Sequence, residues 1–292
     1  MRIFKFLLLT VVIFSLFGCA SAQTNKRWTN KKSESKNTNP MNDKFAAGEI
    51  KNIAEGSYGA VETPFIYVAR SKETYAHLQS FIENLPPATE IDFSRVSVVA
   101  AFAGTKNTGG YSVAIRKTGG KFTVDVIEPP KDAITTDALT MPFLVALVSV
   151  EKEKSLPLEV SANWKSAMQT YKVASGKFES SGGLAGRLKK FDAEGTIGVM
   201  RFGDYATLAF NLSGKGADKN MKLTEMASGV GKDGAIDLAR LDAGSFSAGP
   251  KAPLKVSGTI LNDKLSVRFE PLPINIPDSF RVGGKIDAVK IK

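Results

Sequence analysis

The sequence predicts a two-domain protein: an α+β domain (an antiparallel sheet with one helix) followed by an all-β antiparallel sandwich or barrel. One stretch near residue 80 has apolar residues at helical spacing, and strand-like apolar runs surround it. From Gly176 onward, the apolar residues recur with period two and glycine is frequent. A length of 292 residues suits two domains.

The single helix of the first domain is expected to start after Ser71, whose side chain can cap it. Pro86 and Pro87 stop it. Its apolar face comprises five residues at helical spacing: Tyr75, Leu78, Phe81, Ile82 and Leu85. His77 falls on the opposite, polar face, which predicts a solvated surface histidine.

Residues 93–126 predict three antiparallel strands joined by glycine-rich turns. Residues 96–103 are almost continuously apolar, as expected of a strand that is buried on both faces. Residues 104–110 form a loop rich in glycine. Residues 111–126 alternate around Gly119-Gly120, which predicts a hairpin with one wet face and one buried face.

Further strands complete both domains. Residues 143–150 predict a second central strand, and residues 156–160 predict a last strand of the first domain. About seven short strands follow, with a hairpin turn at Asn262-Asp263. The predicted organisation is a signal peptide, a flexible basic linker, an α+β domain, a connector and an all-β domain, with the bounds 1–22, 23–47, 48–162, 163–175 and 176–292.

The N-terminus predicts export. A basic start and a short apolar run are typical of a signal peptide and too short for a comfortable membrane span. Cys19 ends a sequence that resembles a lipobox, which predicts a membrane-anchored lipoprotein of the bacterial envelope. Ala20-Ser21-Ala22 also fits cleavage before Gln23, which would give a soluble exported protein. Both alternatives stay open, and the position of the only cysteine favours lipidation.

Composition excludes several function classes. The formal net charge of +10 is concentrated before residue 45, and the mild excess that remains gives little support for nucleic-acid binding. One cysteine and one histidine, His77, cannot build the usual zinc, Ser-His-Asp or Cys-His sites. We therefore predict no catalytic residues, no metal, no cofactor and no enzymatic activity.

The glycine-rich loop at residues 104–110 is not typical of a phosphate site. It lacks the Lys-Ser/Thr ending of a P-loop, and a strand follows it instead of a helix. The alternatives are a loop that only shapes a turn and a loop that binds a partner. The candidate partner-binding residues are Lys106, Thr108, Gly109, Gly110, Tyr111 and Arg116.

The first domain resembles the PrcB family. The resemblance rests on Val-Val-x-x-Phe-x-Gly at residues 98–104, Lys106, Thr-Gly-Gly-Tyr at residues 108–111, Pro129 and the Thr-Met-Pro-Phe step at residues 140–143. It extends over about a third of the chain. The family takes its name from a subunit of a bacterial surface protease complex. The resemblance implies a non-catalytic accessory role, with a protease as one candidate partner.

Two functions remain from these observations. The first is an exported, lipid-anchored accessory protein that binds and stabilises an envelope protein partner. The alternative is a carrier of a lipid-like small ligand, with a cavity in the β domain lined by Leu208, Phe210 and Phe269. The sequence favours the first function because the family resemblance lies in the first domain.

Overall fold

The computed structural model describes residue 46 and residues 48–149, 158–181, 189–230, 235–237, 241–245, 253–271 and 281–291. Residues 39–292 form one compact unit. The predicted signal peptide, Cys19 and nearly all of the predicted linker lie outside the described residues. Within the described ranges, no helix is long and apolar enough to cross a lipid bilayer.

The first half of the chain contains seven strands and one α-helix. In chain order they are β1 (Ile50–Gly56), β2 (Phe65–Ala69), α1 (Lys72–Gln79), β3 (Val96–Phe102), β4 (Ser112–Thr118), β5 (Lys121–Ile127), β6 (Phe143–Ser149) and β7 (Leu158–Val160). A short 3-10 turn, Ala88–Glu90, precedes β3. The apolar runs that predicted central strands form β3 and β6, and both are buried almost throughout.

These strands form two sheets, which differs from the predicted consecutive pairing. The first sheet is antiparallel with the order β1-β6-β3-β2, and the second has the order β4-β5-β7. Strand β3 therefore pairs with β2 and β6 and not with the hairpin that follows it. After β6 the chain returns to the second sheet, where β7 pairs with β5 in the parallel direction. The glycine-rich loop thus carries the chain from one sheet to the other.

Helix α1 confirms the predicted cap and apolar face but is shorter than expected. The Ser71 hydroxyl accepts a hydrogen bond from the Thr74 N–H at 3.2 Å. The helix ends at Gln79, where the Ser80 hydroxyl bonds the His77 carbonyl at 2.6 Å. Asn84 then has a φ of 61°. This value is far from the negative φ of a right-handed helix, so the helix cannot continue through Asn84. His77 is half-buried, and its Nε2 lacks a hydrogen-bond partner among the described residues, so its predicted solvated position is wrong.

The second half is all β after a short helix, as predicted. Its elements are α2 (Ala162–Ser166), β8 (Gln169–Ser181), β9 (Lys189–Phe202), β10 (Tyr205–Gly214), β11 (Lys222–Val230), β12 (Ala235–Asp237), β13 (Leu241–Ser245), β14 (Pro253–Leu261), β15 (Lys264–Pro271) and β16 (Arg281–Lys290). The order β11-β10-β9-β8-β16-β15-β14 is antiparallel.

This sheet curls into a barrel-like shape. Strand β13 pairs with β14 at one end of the order and contacts β11 at the other end. The inward-facing residues of the long strands form one apolar cluster, which includes Phe178, Ile197, Leu212 and Val267. Asn262 has a φ of 55° at the turn between β14 and β15, which confirms the predicted hairpin.

Strand β2 is an edge strand whose free side is closed by the barrel-like sheet. Ser228 Oγ accepts a hydrogen bond from the Val68 N–H at 2.8 Å, and Thr207 Oγ1 donates to the Ile66 carbonyl. The two hydroxyls lie 2.6 Å apart. Because Thr207 uses its only hydrogen on Ile66, Ser228 must donate to Thr207. A chain of three hydrogen bonds therefore satisfies a buried sheet edge that would otherwise lack partners.

Other contacts join the halves around this edge. Arg70 pairs with the buried Glu225 and donates to the Met226 carbonyl at 3.2 Å. The indole N–H of Trp164, which is fully buried, donates to the Phe102 carbonyl at 3.1 Å. Met226 itself belongs to the core of the first half. The two halves consequently share a core and a buried polar contact.

Candidate protein-interaction surface

The glycine loop (residues 104–111) is held by the facing segment (residues 131–141). Lys106 and Thr140 exchange backbone hydrogen bonds of 2.7 and 2.9 Å. The Gly109 N–H donates to the Thr136 carbonyl at 2.9 Å, and the Thr140 hydroxyl donates to the Thr108 carbonyl at 2.9 Å. The loop is therefore fixed by backbone pairing at two points, and its exposed groups have defined positions.

Two glycines in this loop adopt backbone conformations that other residues rarely adopt. Gly104 has a φ of 73°, and a Cβ there would lie 2.9 Å from the Glu62 carbonyl oxygen. Gly110 has a φ of 84°, and its Cβ would lie 2.9 Å from Pro129 Cβ. Positive φ and close approach both require glycine at these positions. These glycines shape the crossover between the sheets.

Lys106 and Tyr111 present the polar and aromatic part of the surface. The Lys106 ammonium lies 5.6 Å from the centroid of the Tyr111 ring, within range of a cation–π interaction. Both residues are partly exposed. Their mutual contact restricts their rotamers before any partner binds, which lowers the entropy cost of an interface.

Three large, mainly apolar side chains are exposed on the facing segment or on the strand end that pairs with it. Ile134 is 104% exposed, Tyr58 is 71% exposed and Leu139 is 66% exposed. Ile134 and Leu139 belong to the facing segment. Tyr58 is joined to it because Met141 donates to the Ser57 carbonyl and accepts from the Gly59 N–H, both at 2.8 Å. We call Tyr58, Lys106, Tyr111, Ile134 and Leu139 the loop surface.

Sequence reasoning missed the three apolar members of this surface. The available signal was that Ile134 and Leu139 are the two large aliphatic residues of an otherwise polar connection. Nothing in the sequence distinguishes such residues from ones that fold back into the core. Leu139 is exposed because the next residue, Thr140, pairs with Lys106 and is buried.

The other predicted site residues have different positions. Thr108 contributes its carbonyl to the loop, Gly109 is buried against the facing segment, and Gly110 is exposed. Arg116 lies within β4, and its Cα is about 17 Å from that of Tyr111 at 3.3–3.4 Å per residue. It is exposed and lies 3.8 Å from the Asp125 carboxylate. The loop brings together five of the six candidates, and their role in binding stays a prediction.

Ionisable groups with shifted pKa values have structural partners outside the loop. A hydrogen bond from the Ser94 side chain lowers the pKa of Asp92. A hydrogen bond from Lys121 at 2.5 Å lowers the pKa of Glu159, which is exposed. Among the residues described by the structure, no group of three His, Cys, Asp or Glu side chains could hold a metal.

The interior of the barrel-like sheet is packed where the carrier alternative requires a cavity. Leu208, Phe210 and Phe269 are almost completely buried in one apolar cluster. The centroids of the Phe210 and Phe269 rings lie 5.4 Å apart with 65° between the ring planes, and the Phe178 ring lies 5.4 Å from that of Phe269. These phenylalanine rings therefore pack against one another at the position where the carrier alternative expects a ligand.

Comparison with known proteins gives one family match, and it falls on the sheets and loop described above. Residues 97–149 match the family model of the PrcB C-terminal domain. This match confirms the predicted resemblance within the first half of the chain. It spans β3, the glycine loop, the β4–β5 hairpin, the facing segment and β6.

Two further comparisons concern whole chains. No curated protein matches this one. A solved structure from Bacteroides fragilis, described as a candidate outer membrane protein, aligns with 16% sequence identity over 67% of this chain and 89% of that chain. Its TM-score is 0.25. At that score the likeness does not establish a shared fold.

Proposed function

We propose that this chain is an exported, non-catalytic accessory protein of the bacterial envelope that binds a protein partner through the loop surface. The observation that carries the proposal is the exposure of Tyr58, Ile134 and Leu139 on backbone that hydrogen bonds hold in place. Exposed large apolar side chains on ordered backbone are typical of protein–protein contact sites. The PrcB C-terminal match supports an accessory role, with a protease as one candidate class of partner.

The energetics suit a contact with another folded protein. Burial of three such side chains contributes about 5–9 kcal/mol, at about 1.5–3 kcal/mol each. Association costs about 4–15 kcal/mol in lost translational and rotational freedom. The apolar groups alone therefore approximately offset that cost. Net affinity must come from the neighbouring polar groups, of which Lys106 and Tyr111 have restricted side chains.

The buried edge of β2 limits how a partner can bind. Its free carbonyl and N–H groups are already bonded to Thr207 and Ser228. A partner strand cannot add to this side of the sheet without displacing the barrel-like sheet. Strand addition is a common mode of peptide recognition. Strand addition is therefore blocked at the β2 edge of the first sheet.

The N-terminus supplies the location in this proposal. A signal peptide followed by lipidation of Cys19 and a basic linker would hold the folded part at a membrane outside the cytoplasm. Palmitate labelling of the wild type against Cys19→Ala tests this part separately. We expect the label to be lost in the variant. Equal labelling of both proteins would contradict lipidation at Cys19.

Affinity purification from detergent-solubilised envelopes tests partner binding. Ile134→Asp/Leu139→Asp places two charges in the loop surface and should abolish recovery of a partner that the wild type retains. The matched control is Thr118→Asp/Thr224→Asp, which places two charges at exposed residues of β4 and β11 that lie outside the loop surface. We expect the control to retain the partner. If both variants recovered the partner that the wild type retains, the loop surface would be excluded as the binding site.

A further inference from the structure

A row of like charges crosses the outside of the barrel-like sheet. Lys285 of β16 is the direct cross-strand neighbour of Lys177 in β8 and of Arg268 in β15. All three side chains are exposed. Like charges directly opposite one another destabilise a sheet. The direct pairs within this row therefore do not stabilise the sheet, although Asp192 of β9 lies opposite Lys177 on its other side.

Two more lysines extend this row toward the ends of the same strands. Val289 of β16 lies opposite both Lys172 of β8 and Lys264 of β15. The five cations lie within about 10 by 13 Å, given the usual strand spacing and rise. We call them the cationic face, which comprises Lys172, Lys177, Lys264, Arg268 and Lys285.

Acidic neighbours neutralise only part of this face. Asp287 lies 3.3 Å from the Lys285 ammonium, and Glu270 lies 3.6 Å from Arg268 Nε. Lys172, Lys177 and Lys264 form no ion pair with any described residue. Asp192 of β9 also lies directly opposite Lys177. Lys172 and Lys264 therefore remain as the two cations of this face with neither an ion pair nor an acidic cross-strand neighbour among the described residues.

Exposed apolar side chains alternate with the lysines at the end of the face. Leu261 lies opposite Lys264, which in turn lies opposite Val289. Leu261 and Val289 are both exposed, and Ile291 is exposed two residues farther on. Leu261 and Val289 line an open groove of about 760 Å³, which Lys264 and the two carboxylates Asp263 and Asp287 also line. Apolar and cationic side chains thus share one row.

We propose that the cationic face docks on an anionic lipid bilayer. Aliphatic side chains beside lysines are typical of surfaces that lie in a membrane interface, where the lysine stems also contact apolar groups. A bilayer surface is broad enough to meet all five cations at once. Each lysine held near an anionic membrane strengthens binding about fivefold. The proposal does not depend on the loop surface, which lies in the first half of the chain.

Vesicle flotation of the chain from Gln23 onward tests the proposal without the apolar N-terminal run. The wild type should bind vesicles made of phosphatidylcholine mixed with phosphatidylglycerol. It should not bind vesicles made of pure phosphatidylcholine. Lys172→Glu/Lys177→Glu should lower binding at least tenfold, since about fivefold is lost with each lysine. Leu261→Ser should also weaken binding. The thermal midpoint of the double variant is measured alongside, and a midpoint close to that of the wild type shows that lost binding is not lost folding.

The control is Lys51→Glu/Lys72→Glu, which gives the same net charge and alters two exposed lysines of the first half. This variant should bind as the wild type does. Equal loss in both double variants would assign binding to net charge and overturn the proposal, as would unchanged binding of Leu261→Ser. If vesicles retain no protein and a polyglutamate resin retains only the wild type and the control, the face binds acidic protein and the lipid proposal fails.

Discussion

Gly104 is the residue at which the crossover between the two sheets is most constrained. Its φ of 73° costs an alanine about 1–2 kcal/mol. The added Cβ would also lie 2.9 Å from the Glu62 oxygen and the Pro64 nitrogen, which adds about 1–3 kcal/mol of overpacking. We expect Gly104→Ala to lower the free energy of unfolding by about 2–5 kcal/mol in chemical denaturation, as the sum of these two costs.

Gly119→Ala is the matched control for this substitution. Gly119 has a φ of 56° and no atom within 4 Å of its added Cβ. Only the backbone cost of about 1–2 kcal/mol should remain. Equal losses in the two variants would show that the close approach to Glu62 and Pro64 contributes nothing.

Tyr75 provides a pH-dependent prediction at the same scale. Burial, followed by the charge of Glu90, raises the pKa of Tyr75 from 10.0 to about 12. Its hydroxyl donates to the Pro86 carbonyl at 2.8 Å. The folded state holds the proton more tightly, so this stabilisation is complete below pH 10 and disappears as pH rises through about 12.

Absorbance of tyrosinate checks this expectation. The titration of the wild type should contain a component near pH 12 that is missing in Tyr75→Phe. The phenylalanine variant should also lose less stability between pH 10 and pH 12 than the wild type does. Identical titration curves for the two proteins would contradict a buried, protonated Tyr75.

At the scale of elements, the edge of β2 depends on two hydroxyl groups. Thr207→Val keeps the shape of the side chain but leaves the Ile66 carbonyl without a donor and the Ser228 O–H without an acceptor, while Ser228 Oγ still accepts from the Val68 N–H. Each buried unsatisfied group costs about 1–3 kcal/mol, so we expect a loss of about 2–6 kcal/mol in the free energy of unfolding. Thr224→Val alters an exposed threonine of β11 and should change it by less than about 0.5 kcal/mol. A loss below 1 kcal/mol for Thr207→Val would show that the hydroxyl chain is not needed.

The elements also show what the sequence could and could not predict. Continuous apolar runs identified β3 and β6, and Gly119-Gly120 located the β4–β5 hairpin, because these signals are local. The pairing of β3 with β2 and β6 is decided by contacts distant in sequence, so it could not be predicted from spacing. The same limit applies to the candidate site: Lys106 and Tyr111 were recognised, whereas the exposure of Ile134 depends on how the facing segment pairs with the loop.

At the scale of the whole molecule, the shared core predicts cooperative unfolding. Met200 and Met226 of the second half are buried in the core of the first half, and Arg70 pairs with Glu225 across it. Separation of the halves would expose these groups together with the edge of β2. We expect one transition, with coincident curves from near-ultraviolet and far-ultraviolet circular dichroism. Two separated transitions would show instead that the halves fold independently.

Site-specific photo-crosslinking in living cells tests the proposed function most directly. A photoreactive amino acid is placed in the loop surface by substitution of the fully exposed Ile134. The same amino acid in place of Thr118, which is exposed at the far end of β4, serves as the control. We expect a discrete crosslinked envelope protein from position 134 and none from position 118. The same products from both positions, or none from position 134, would contradict partner binding through the loop surface.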